Sequence, residues 1–249
     1  MAGRVAIVTG GARGIGGASA VEFASRGADV VIGDILPREK AAETISKIEA
    51  MGRRVAYVEG DLRQQAGNIA LVDAAVQQFG RVDYVLCNAG AGLRRPFVEL
   101  SAEDAHRIFD LIFWAGYYLS QAAAKRMIEQ GGGGSIVFIS SVHSVRGYAN
   151  AVAYNAAKAA VNHMARTIAL ELAPHKIRAN WIEPGWIDTP GERILFGDKM
   201  VDEGGQHLLW GRLGKPEEIA CGVAYLCESD YVTGYGLRID GGYTLPRPS

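Results

Sequence analysis

The stretch Thr9-Gly10-Gly11-Ala12-Arg13-Gly14-Ile15-Gly16 follows a β-branched run, Val5 to Thr9, and opens a segment with helical spacing of apolar residues. Its glycines stand where the chain must turn sharply. The N-terminus of the following helix offers unpaired N–H groups and a positive dipole end. A purely structural turn can use the same residues, but the order of strand, glycine turn and helix predicts a site for the pyrophosphate of a dinucleotide.

Asp34 lies 18 residues after Gly16, at the end of the next β-rich run. A carboxylate at this place can accept hydrogen bonds from the ribose hydroxyls of a bound dinucleotide, and it would repel a 2′-phosphate. The sequence therefore predicts NAD as the cofactor. Arg13 can partly offset that repulsion, so some use of NADP stays open.

Beyond the glycine turn, short β-branched runs alternate with longer segments whose apolar residues recur at helical spacing, a pattern typical of βαβ units around a parallel sheet. Seven strands are predicted: Val5 to Thr9, Asp29 to Gly33, Arg54 to Glu59, Val82 to Cys87, Ser135 to Ser140, Ile177 to Ile182 and Leu237 to Ile239. Helices are predicted near 15–26, 38–51, 64–79, 101–130, 152–173 and 216–228. Because the strands are almost continuously apolar, helices should cover both faces. The sequence thus predicts an α/β fold of the Rossmann type, a doubly wound sheet of about seven parallel strands.

The pattern indicates one domain over residues 1–249, with no Pro- or Ser-rich linker and no fixed-period repeat. The glycines 131–134 fall where a helix must end and a strand begin, which glycine permits. One segment, 186–212, shows no clear period. Irregular segments of this length in compact domains usually carry function, so 186–212 is predicted to be a lid over the substrate.

The charge balance of the 249-residue chain points to no charged partner. Lys and Arg number 26 against 27 Asp and Glu, a formal net charge of −1, whereas nucleic-acid-binding domains are usually strongly basic. The apolar run Leu111 to Leu119 is much shorter than the roughly 20 residues that a membrane span requires. We therefore expect no nucleic-acid partner and no membrane partner.

Signals for secretion and for metal binding are also missing from the sequence. Met1 to Arg4 lead directly into the first strand and leave no room for the apolar core of a signal peptide. The three cysteines, and the four histidines other than His143, lack the spacing of a zinc site or a disulfide framework. These residues are Cys87, Cys221, Cys227, His106, His163, His175 and His207. A cytoplasmic protein without a metal is predicted.

Tyr154 and Lys158 stand four residues apart on a predicted helix and therefore share one face. A nearby ammonium lowers the pKa of a phenol from its usual value near 10, which makes tyrosine a useful acid or base near neutrality. Ser141 follows a predicted strand 13 residues before Tyr154, at the end where parallel strands meet a cofactor cleft. A solvated Tyr and Lys pair is the plain alternative, but Ser141 favours a site in which its hydroxyl orients a substrate carbonyl.

Taken together, these motifs resemble the short-chain dehydrogenase/reductase family over essentially the whole chain. The resemblance implies catalytic roles for Ser141, Tyr154 and Lys158, with Tyr154 and Lys158 also beside the nicotinamide ribose. It implies that the remaining cofactor contacts come from Gly10, Arg13, Gly14, Ile15, Gly16, Asp34, Asp61, Leu62, Asn88, Ala89, Gly90, Pro184, Gly185, Ile187 and Thr189. Asp240-Gly241-Gly242 resembles the family's C-terminal turn.

One position departs from the family's pattern. The family's fourth catalytic residue is an asparagine in a segment that usually reads Asp, apolar, Asn, Leu, and this chain has Asp110-Leu111-Ile112-Phe113. The implied task of the asparagine is to hold a water that connects the lysine to solvent, which isoleucine cannot do. The sequence therefore leaves the route of the proton from Lys158 to solvent unassigned. His143 and Asn155 are polar residues nearby in the sequence, and whether either replaces the asparagine stays undecided at this point.

The resemblance implies an NAD(H)-dependent oxidoreductase that interconverts a secondary alcohol and its ketone or lactone. The segment 181–192 looks like that of glucose and other polyol dehydrogenases, which favours a sugar, a polyol or a small alcohol as substrate. A 3-ketoacyl thioester reductase is the first alternative. A dinucleotide-binding module with little turnover is the second, and its supporting feature is Ile112.

Further residues are weaker candidates for contacts with the substrate or with another copy of the chain. Trp186, Phe196 and Trp210 can contact the substrate or only pack within the lid, and Arg94 and Arg95 can bind an anion or belong to a solvated loop. Members of the family are usually tetramers or dimers that pair the helices within 101–130 and 152–173. A homotetramer, or a dimer, is therefore implied.

Overall fold

Seven short apolar runs pair side by side in the computed structural model, which describes residues 1–246. The strands are β1 (Val5–Thr9), β2 (Asp29–Asp34), β3 (Val55–Glu59), β4 (Tyr84–Cys87), β5 (Gly134–Ile139), β6 (Ile177–Pro184) and β7 (Gly236–Ile239). Every pair is parallel, and the order across the sheet is β3-β2-β1-β4-β5-β6-β7. The predicted parallel sheet is confirmed. The order reverses direction between β1 and β4, which opens a crevice at the carboxyl ends of these strands.

Helices cover both faces of the sheet, as the apolar strands predict. They are α1 (Gly14–Ser25), α2 (Ala42–Ala50), α3 (Gln65–Phe79), α4 (Ala102–Phe109), α5 (Ala115–Gln130), α6 (Val152–Leu172), α7 (Pro190–Phe196), α8 (Asp198–Gly204) and α9 (Pro216–Glu228). One hydrophobic core lies between the sheet and α1, α2 and α9, and the other between the sheet and α3 to α6. Within residues 1–246, no helix combines the length and the apolarity that crossing a bilayer requires.

The prediction of one uniform helix over 101–130 was wrong in its middle. A π-helical turn, Asp110–Trp114, separates α4 from α5. Its aromatic rings pack edge-on against their neighbours, Phe113 against Trp114 at 5.2 Å and Trp114 against Tyr117 of α5 at 5.7 Å between ring centroids. The turn contains neither Pro nor Gly, so no residue in the sequence marks it. Turns of this kind are frequent at functional sites, and this one holds Ile112 with its side chain 5% exposed.

The segment 186–212, in which no helix was expected, contains α7 and α8. Thr189 caps α7, since its Oγ1 accepts a hydrogen bond from the N–H of Glu192 at 3.2 Å, and Pro190 occupies the first helical turn. Gly197, at φ +80°, separates the two helices. Each helix has only seven residues, too few for a helical period to be recognised in the sequence.

A buried carboxylate joins β6 to its neighbours beside the crevice. Glu183 is 5% exposed. Its Oε1 accepts hydrogen bonds from Asn162 Nδ2 of α6 and Trp181 Nε1, both at 3.0 Å, and its Oε2 accepts from Arg238 of β7 at 2.9 and 3.0 Å. The Nδ2 of Asn162 also donates to Ser144 Oγ at 2.9 Å. One side chain therefore fixes β6, β7 and α6 relative to the loop after β5.

We expect Glu183→Ala to lower the free energy of unfolding by about 2–4 kcal/mol, because it leaves the buried donors of Asn162 and Trp181 unpaired. Glu183→Gln keeps one acceptor and should cost less than half as much. Denaturant titration measures both variants, with the exposed Glu49→Ala as a control that stays within about 0.5 kcal/mol of the unmodified protein. Equal stability of Glu183→Ala and the control would contradict this role.

Candidate active site

The glycine turn between β1 and α1 forms one wall of the crevice. Gly10 and Gly14 have φ of +62° and +59°, which other residues adopt only with strain. A side chain at Gly16 would begin 2.1 Å from the carbonyl oxygen of Gly10. Only glycine fits there, and α1 therefore starts directly behind the turn. The first N–H groups of α1 have no partners within the helix and face the crevice, with the exposed Arg13 as N-cap residue beside them.

Asp34 stands at the end of β2 beside this turn and is 7% exposed. Its Oδ2 accepts a hydrogen bond from the N–H of Ala12 at 3.0 Å, and its Oδ1 accepts one from the N–H of Leu36 at 3.1 Å. Each carboxylate oxygen retains acceptor capacity. The carboxylate is thus fixed in place, at the position where the sequence predicts a ribose.

Asp61 and Leu62 follow β3 on the same side of the sheet. Asp61 forms a salt bridge with Arg63, at 2.7 Å between Oδ2 and Nη2, and this pairing holds the pKa of Asp61 below its usual range against the opposing effect of burial. Leu62 is buried, and its carbonyl oxygen accepts a hydrogen bond from Asn68 Nδ2 at 2.7 Å. Both residues follow β3 at the carboxyl edge of the sheet, where β3 lies next to β2 and Asp34.

The Asn88-Ala89-Gly90 segment fixes β4 to the glycine turn. Asn88 Nδ2 donates to the carbonyl oxygens of Thr9 and Gly10 at 2.8 and 3.2 Å, and the N–H groups of Asn88 and Ala89 donate to Thr9 Oγ1 at 2.9 and 3.1 Å. The Asn88 side chain therefore holds the turn itself. Gly90 lies beside Lys158 rather than beside the glycine turn, since a side chain at Gly90 would begin 3.6 Å from the Nζ of Lys158.

The segment after β6 forms the opposite wall. A side chain at Gly14 would begin 3.6 Å from Cβ of Thr189, so the predicted cofactor residues of the two halves of the chain lie opposite one another. A side chain at Gly185 would begin 2.7 Å from Cα of Asp240, which shows how closely the end of β6 packs on the C-terminal turn. Ile187 is buried beside them. These walls, lined by glycine and closed by a helix N-terminus and a carboxylate, fit a dinucleotide.

Ser141 and Tyr154 meet beyond the end of β5. Ser141 caps a short 3-10 turn, since its Oγ accepts from the N–H of His143 at 3.2 Å, and its carbonyl oxygen accepts from Ser144 Oγ at 2.6 Å. Burial raises the pKa of Tyr154 to about 12, and hydrogen bonding with Ser141 opposes that rise. The predicted serine and tyrosine are therefore brought together, with the phenol in its protonated form at neutral pH.

Lys158 lies close to Tyr154 without lowering its pKa below the usual value. The Lys158 ammonium lies 5.5 Å from the centre of the Tyr154 ring and donates to the carbonyl oxygen of Ile139 at 2.6 Å. Lys158 is 3% exposed, and the loss of hydration lowers its own pKa to about 8. Burial of the phenol, not the ammonium, therefore sets the direction of the Tyr154 pKa.

Lys158 shares a small apolar cavity with Ile112. The cavity measures about 10 Å³, and its other walls are Thr9, Cys87, Ala89, Ala115, Gly116, Phe138, Ile139 and Val161. That volume is at the lower limit for a single water molecule. The hydrogen bond to Ile139 engages one of the three N–H donors of the ammonium, and Ile112 offers neither a donor nor an acceptor beside it.

His143 and Asn155, the two polar residues to which the sequence assigns no definite role, lie beside Tyr154. The ring of His143 is edge-on to Tyr154 at 5.2 Å and stacks on Tyr148 at 4.0 Å. His143 Nδ1 is 2.6 Å from Asn155 Oδ1, and Asn155 Nδ2 donates to the carbonyl oxygen of Tyr148 at 3.0 Å. Burial lowers the pKa of His143, which favours a neutral imidazole. His143 and Asn155 thus form one unit that supports Tyr154.

Glu192 and Arg94 come to the same space from segments far apart in sequence. Glu192, in α7, accepts a hydrogen bond from Trp186 Nε1 at 2.9 Å, burial raises its pKa, and its charge acts on Tyr154. The guanidinium carbon of Arg94 lies 4.9 Å from the centre of the Phe196 ring. Sequence reasoning gave Glu192 no role because nothing in the pattern relates it to Tyr154, 38 residues earlier.

A larger cavity of about 390 Å³ lies on the far side of Tyr148. Its lining includes Arg146, Tyr148, His207, Leu209 and Tyr243. Because Tyr148 stacks on His143, this cavity adjoins the outer end of the site around Tyr154. Trp210, predicted as a possible substrate contact, lies with its Cβ 3.3 Å from the position a side chain at Gly241 would take, and its own side chain is largely exposed.

Comparison with known proteins finds the same architecture and similar sequences. A family model described as enoyl-(acyl carrier protein) reductase matches residues 10–244. The 2-dehydro-3-deoxy-D-gluconate 5-dehydrogenase of Escherichia coli K12 is 36% identical over 244 residues, which cover 97% of this chain and 95% of that protein. The cis-4-hydroxycyclohexanecarboxylate dehydrogenase of Sinomonas cyclohexanicum is 37% identical over 244 residues, with coverages of 97% and 96%.

Among solved structures, the crystal structure of carveol dehydrogenase from Mycobacterium avium in complex with NAD superimposes with a TM-score of 0.92. The two sequences are 30% identical, and the match covers 99% of each chain. The similarity therefore extends over the sheet, both helical layers and the segment 186–212.

We expect Ile112→Asn to lower the free energy of unfolding by about 1–3 kcal/mol without raising dehydrogenase kcat, because the cavity beside Lys158 leaves the new amide unpaired. Ile112→Val is the matched control and should cost about 0.5–1.5 kcal/mol. Thermal unfolding and steady-state kinetics, with a solvent-isotope comparison, measure both variants. A large gain in kcat without loss of stability would show that the isoleucine limits proton transfer.

Proposed function

Since the chain belongs to the short-chain dehydrogenase/reductase family, and is accordingly an oxidoreductase acting on CH–OH groups, we propose that it interconverts a secondary alcohol and its ketone or lactone with NAD. Tyr154 serves as the acid and base, Ser141 holds the substrate oxygen, and Lys158 supports the tyrosine. The observation that carries this proposal is the convergence of Ser141 and Tyr154 at the carboxyl end of β5, beside a crevice that fits a dinucleotide.

The bound nicotinamide supplies or accepts the hydride in this reaction. In the reducing direction, Tyr154 donates its phenolic proton to the carbonyl oxygen, and a pKa of about 12 keeps that proton in place at neutral pH. In the oxidising direction, Tyr154 takes the hydroxyl proton, which requires that the phenol first lose its own. Ser141 holds the reacting oxygen in both directions.

Lys158 places a positive charge close to the phenol in apolar surroundings. With a pKa of about 8, it is mostly protonated at pH 7. Its hydrogen bond to Ile139 fixes the ammonium in the space that Gly90 leaves open. We propose that the cofactor's ribose completes the coordination of this ammonium, and that His143 and Asn155 orient the outer side of Tyr154.

The proposed cofactor is NAD rather than NADP. The support is Asp34, whose carboxylate is held by two backbone N–H groups beside the glycine turn, so it cannot easily move away from a 2′-phosphate. Gly10, Gly14 and Gly16 leave the room for the pyrophosphate, and the N-terminus of α1 supplies donors for it.

The proposed substrate is a small secondary alcohol with further polar groups, such as a sugar, polyol or hydroxy acid. Two relatives described above are named for a deoxy-gluconate and for a hydroxycyclohexanecarboxylate, and the solved neighbour for carveol. Polar side chains around Tyr154, among them Arg94 and Glu192, support this class over the acyl chain of a 3-ketoacyl thioester. We propose that the segment 186–212 forms the lid of the substrate site within one domain of residues 1–249.

We also propose a cytoplasmic homotetramer or dimer. The support for a cytoplasmic location is that Cys87, Cys221 and Cys227 form no disulfide among residues 1–246, and that Cys87 and Cys227 are buried. Exposed apolar side chains on α5, α6 and the turn before α5 support pairing through these helices, as the resemblance implies. They are Trp114, Ile128, Val152 and Leu170.

We expect Tyr154→Phe to lower kcat by about 10²–10⁴-fold, because the ring stays and only the transferable proton is lost. NAD affinity, measured by calorimetry, should stay within about twofold. The control is Tyr231→Phe, which removes the same hydroxyl from a fully exposed side chain and should leave kcat unchanged. If Tyr154→Phe kept most of the kcat, the proposed mechanism would be wrong.

We expect kcat/KM to favour NAD over NADP by about tenfold or more, since like charges at close range cost on the order of 1 kcal/mol or more. Asp34→Asn retains an acceptor for the N–H of Ala12 but removes the charge, and it should narrow the preference, as should Asp34→Ala. Asp73→Ala, on the exposed side of α3, should leave the preference unchanged. An NADP preference in the unmodified protein would refute this assignment.

A further inference from the structure

Arg94 is an exposed cation at the entrance to the site. It lies in the loop after β4, and within residues 1–246 it has neither a salt bridge nor a side-chain hydrogen bond. Its guanidinium carbon lies over the face of the Phe196 ring in α7, 4.9 Å from the ring centre. A cation–π contact of this kind restrains the guanidinium and leaves its N–H groups available for a bidentate acceptor.

The charge of Arg94 acts on the reacting group. Among the causes that shift neighbouring pKa values, Arg94 lowers those of Tyr154, His143 and Glu192. Three groups on separate elements therefore lie within electrostatic range of this guanidinium. The neighbouring Arg95 is not among the causes that shift these three pKa values, and its backbone N–H donates to the carbonyl oxygen of Asn150 at 2.8 Å.

The loop and the lid pack closely enough to hold Arg94 in this place. A side chain at Gly92 would begin 2.9 Å from Cδ2 of Leu195 in α7, so glycine permits the close approach. Phe196, under the guanidinium, is itself packed edge-on against Trp186 at 5.7 Å. Trp186 in turn donates to Glu192 Oε2 at 2.9 Å. Loop, aromatic pair and carboxylate thus form one polar rim over Tyr154.

We propose that Arg94 binds a carboxylate of the substrate, so that the physiological substrate is a hydroxy or keto acid whose reacting carbon lies at Tyr154. A carboxylate matches the planar donor edge of Arg94 and forms charge-assisted bidentate hydrogen bonds. Glu192 is an acidic group on the same rim, and its carboxylate would repel the carboxylate of the substrate. The substrate's carboxylate is therefore placed on the Arg94 side, and a hydroxyl that donates a hydrogen bond is placed on the Glu192 side. This inference rests on the proposed function and specifies its substrate class.

Two alternative roles for the cations near the site are separated by the test described below. Arg94 can instead close onto Glu192 as a latch of the lid, which would affect every substrate alike. A carboxylate can instead be held by Arg146 at the larger cavity, where that cation lies 5.8 Å from the centre of the Tyr148 ring.

The test uses three pairs that differ only in a carboxylate and a carboxamide: gluconate, 4-hydroxycyclohexanecarboxylate and 3-hydroxybutyrate, each with its amide. Binding to the NADH-loaded protein is measured by calorimetry, and oxidation by steady-state kinetics with NAD. We expect at least one acid to bind tenfold or more tightly than its amide. In Arg94→Gln that difference should fall below twofold, mainly through KM, with the amide unaffected. Arg94→Lys should restore part of it.

Arg95→Gln is the matched control and should behave as the unmodified protein with every compound. Equal weakening of acid and amide in Arg94→Gln would identify a latch and overturn the inference. Loss of acid preference in Arg146→Gln but not in Arg94→Gln would overturn it as well, as would the absence of acid preference in all three pairs. Turnover of neutral secondary alcohols in that last case would leave the proposed function intact, whereas no turnover of any secondary alcohol would contradict that function itself.

Discussion

The tight closure between β1 and α1 is the constraint on which the rest of the site depends. Gly16 approaches the carbonyl oxygen of Gly10 so closely that a Cβ would begin 2.1 Å from it, and Asn88 donates to that same oxygen. The glycine turn, the start of α1 and the end of β4 are therefore fixed as one unit. Asp34 is fixed to this unit through Ala12. Any larger residue at Gly16 would separate the helix N-terminus from the carboxylate, and the crevice would lose both groups that a dinucleotide needs.

The catalytic candidates are placed by a second constraint, the burial of charge. Lys158 is a nearly inaccessible ammonium with one carbonyl partner, and burial moves its pKa down while it moves the pKa of Tyr154 up. The two shifts bring the tyrosine into the form of an acid and leave the lysine mostly charged at neutral pH. Ile112 is compatible with this arrangement because the ammonium is held by the carbonyl oxygen of Ile139 and does not depend on a polar side chain at position 112 for that contact.

Much of the fold could be predicted from the sequence because both faces of the sheet are covered. Continuous β-branched runs and glycine turns are local signals, and they located all seven strands to within two residues. The π-helical turn at Ile112 and the short helices within 186–212 are not local in this sense. The first depends on how aromatic rings pack, and the others are too brief for a period. Ser141, Tyr154 and Lys158 could be grouped from the sequence because they form a local motif. The positions of Glu192 and Arg94 depend on tertiary packing, which no local motif indicates.

The helix α7 connects the two halves of the site. Thr189 at its N-cap faces Gly14 across the cofactor crevice, and Glu192, three residues later, faces the space above Tyr154. The N–H of Glu192 donates to Thr189 Oγ1 at 3.2 Å, which links the two residues within the first turn of α7. Arg193 extends this unit through salt bridges to Asp188 and Asp198, at 2.8 and 3.1 Å. Because one short helix presents residues to both sides, a displacement of Thr189 on cofactor binding would also displace Glu192, and with it the rim that faces the substrate.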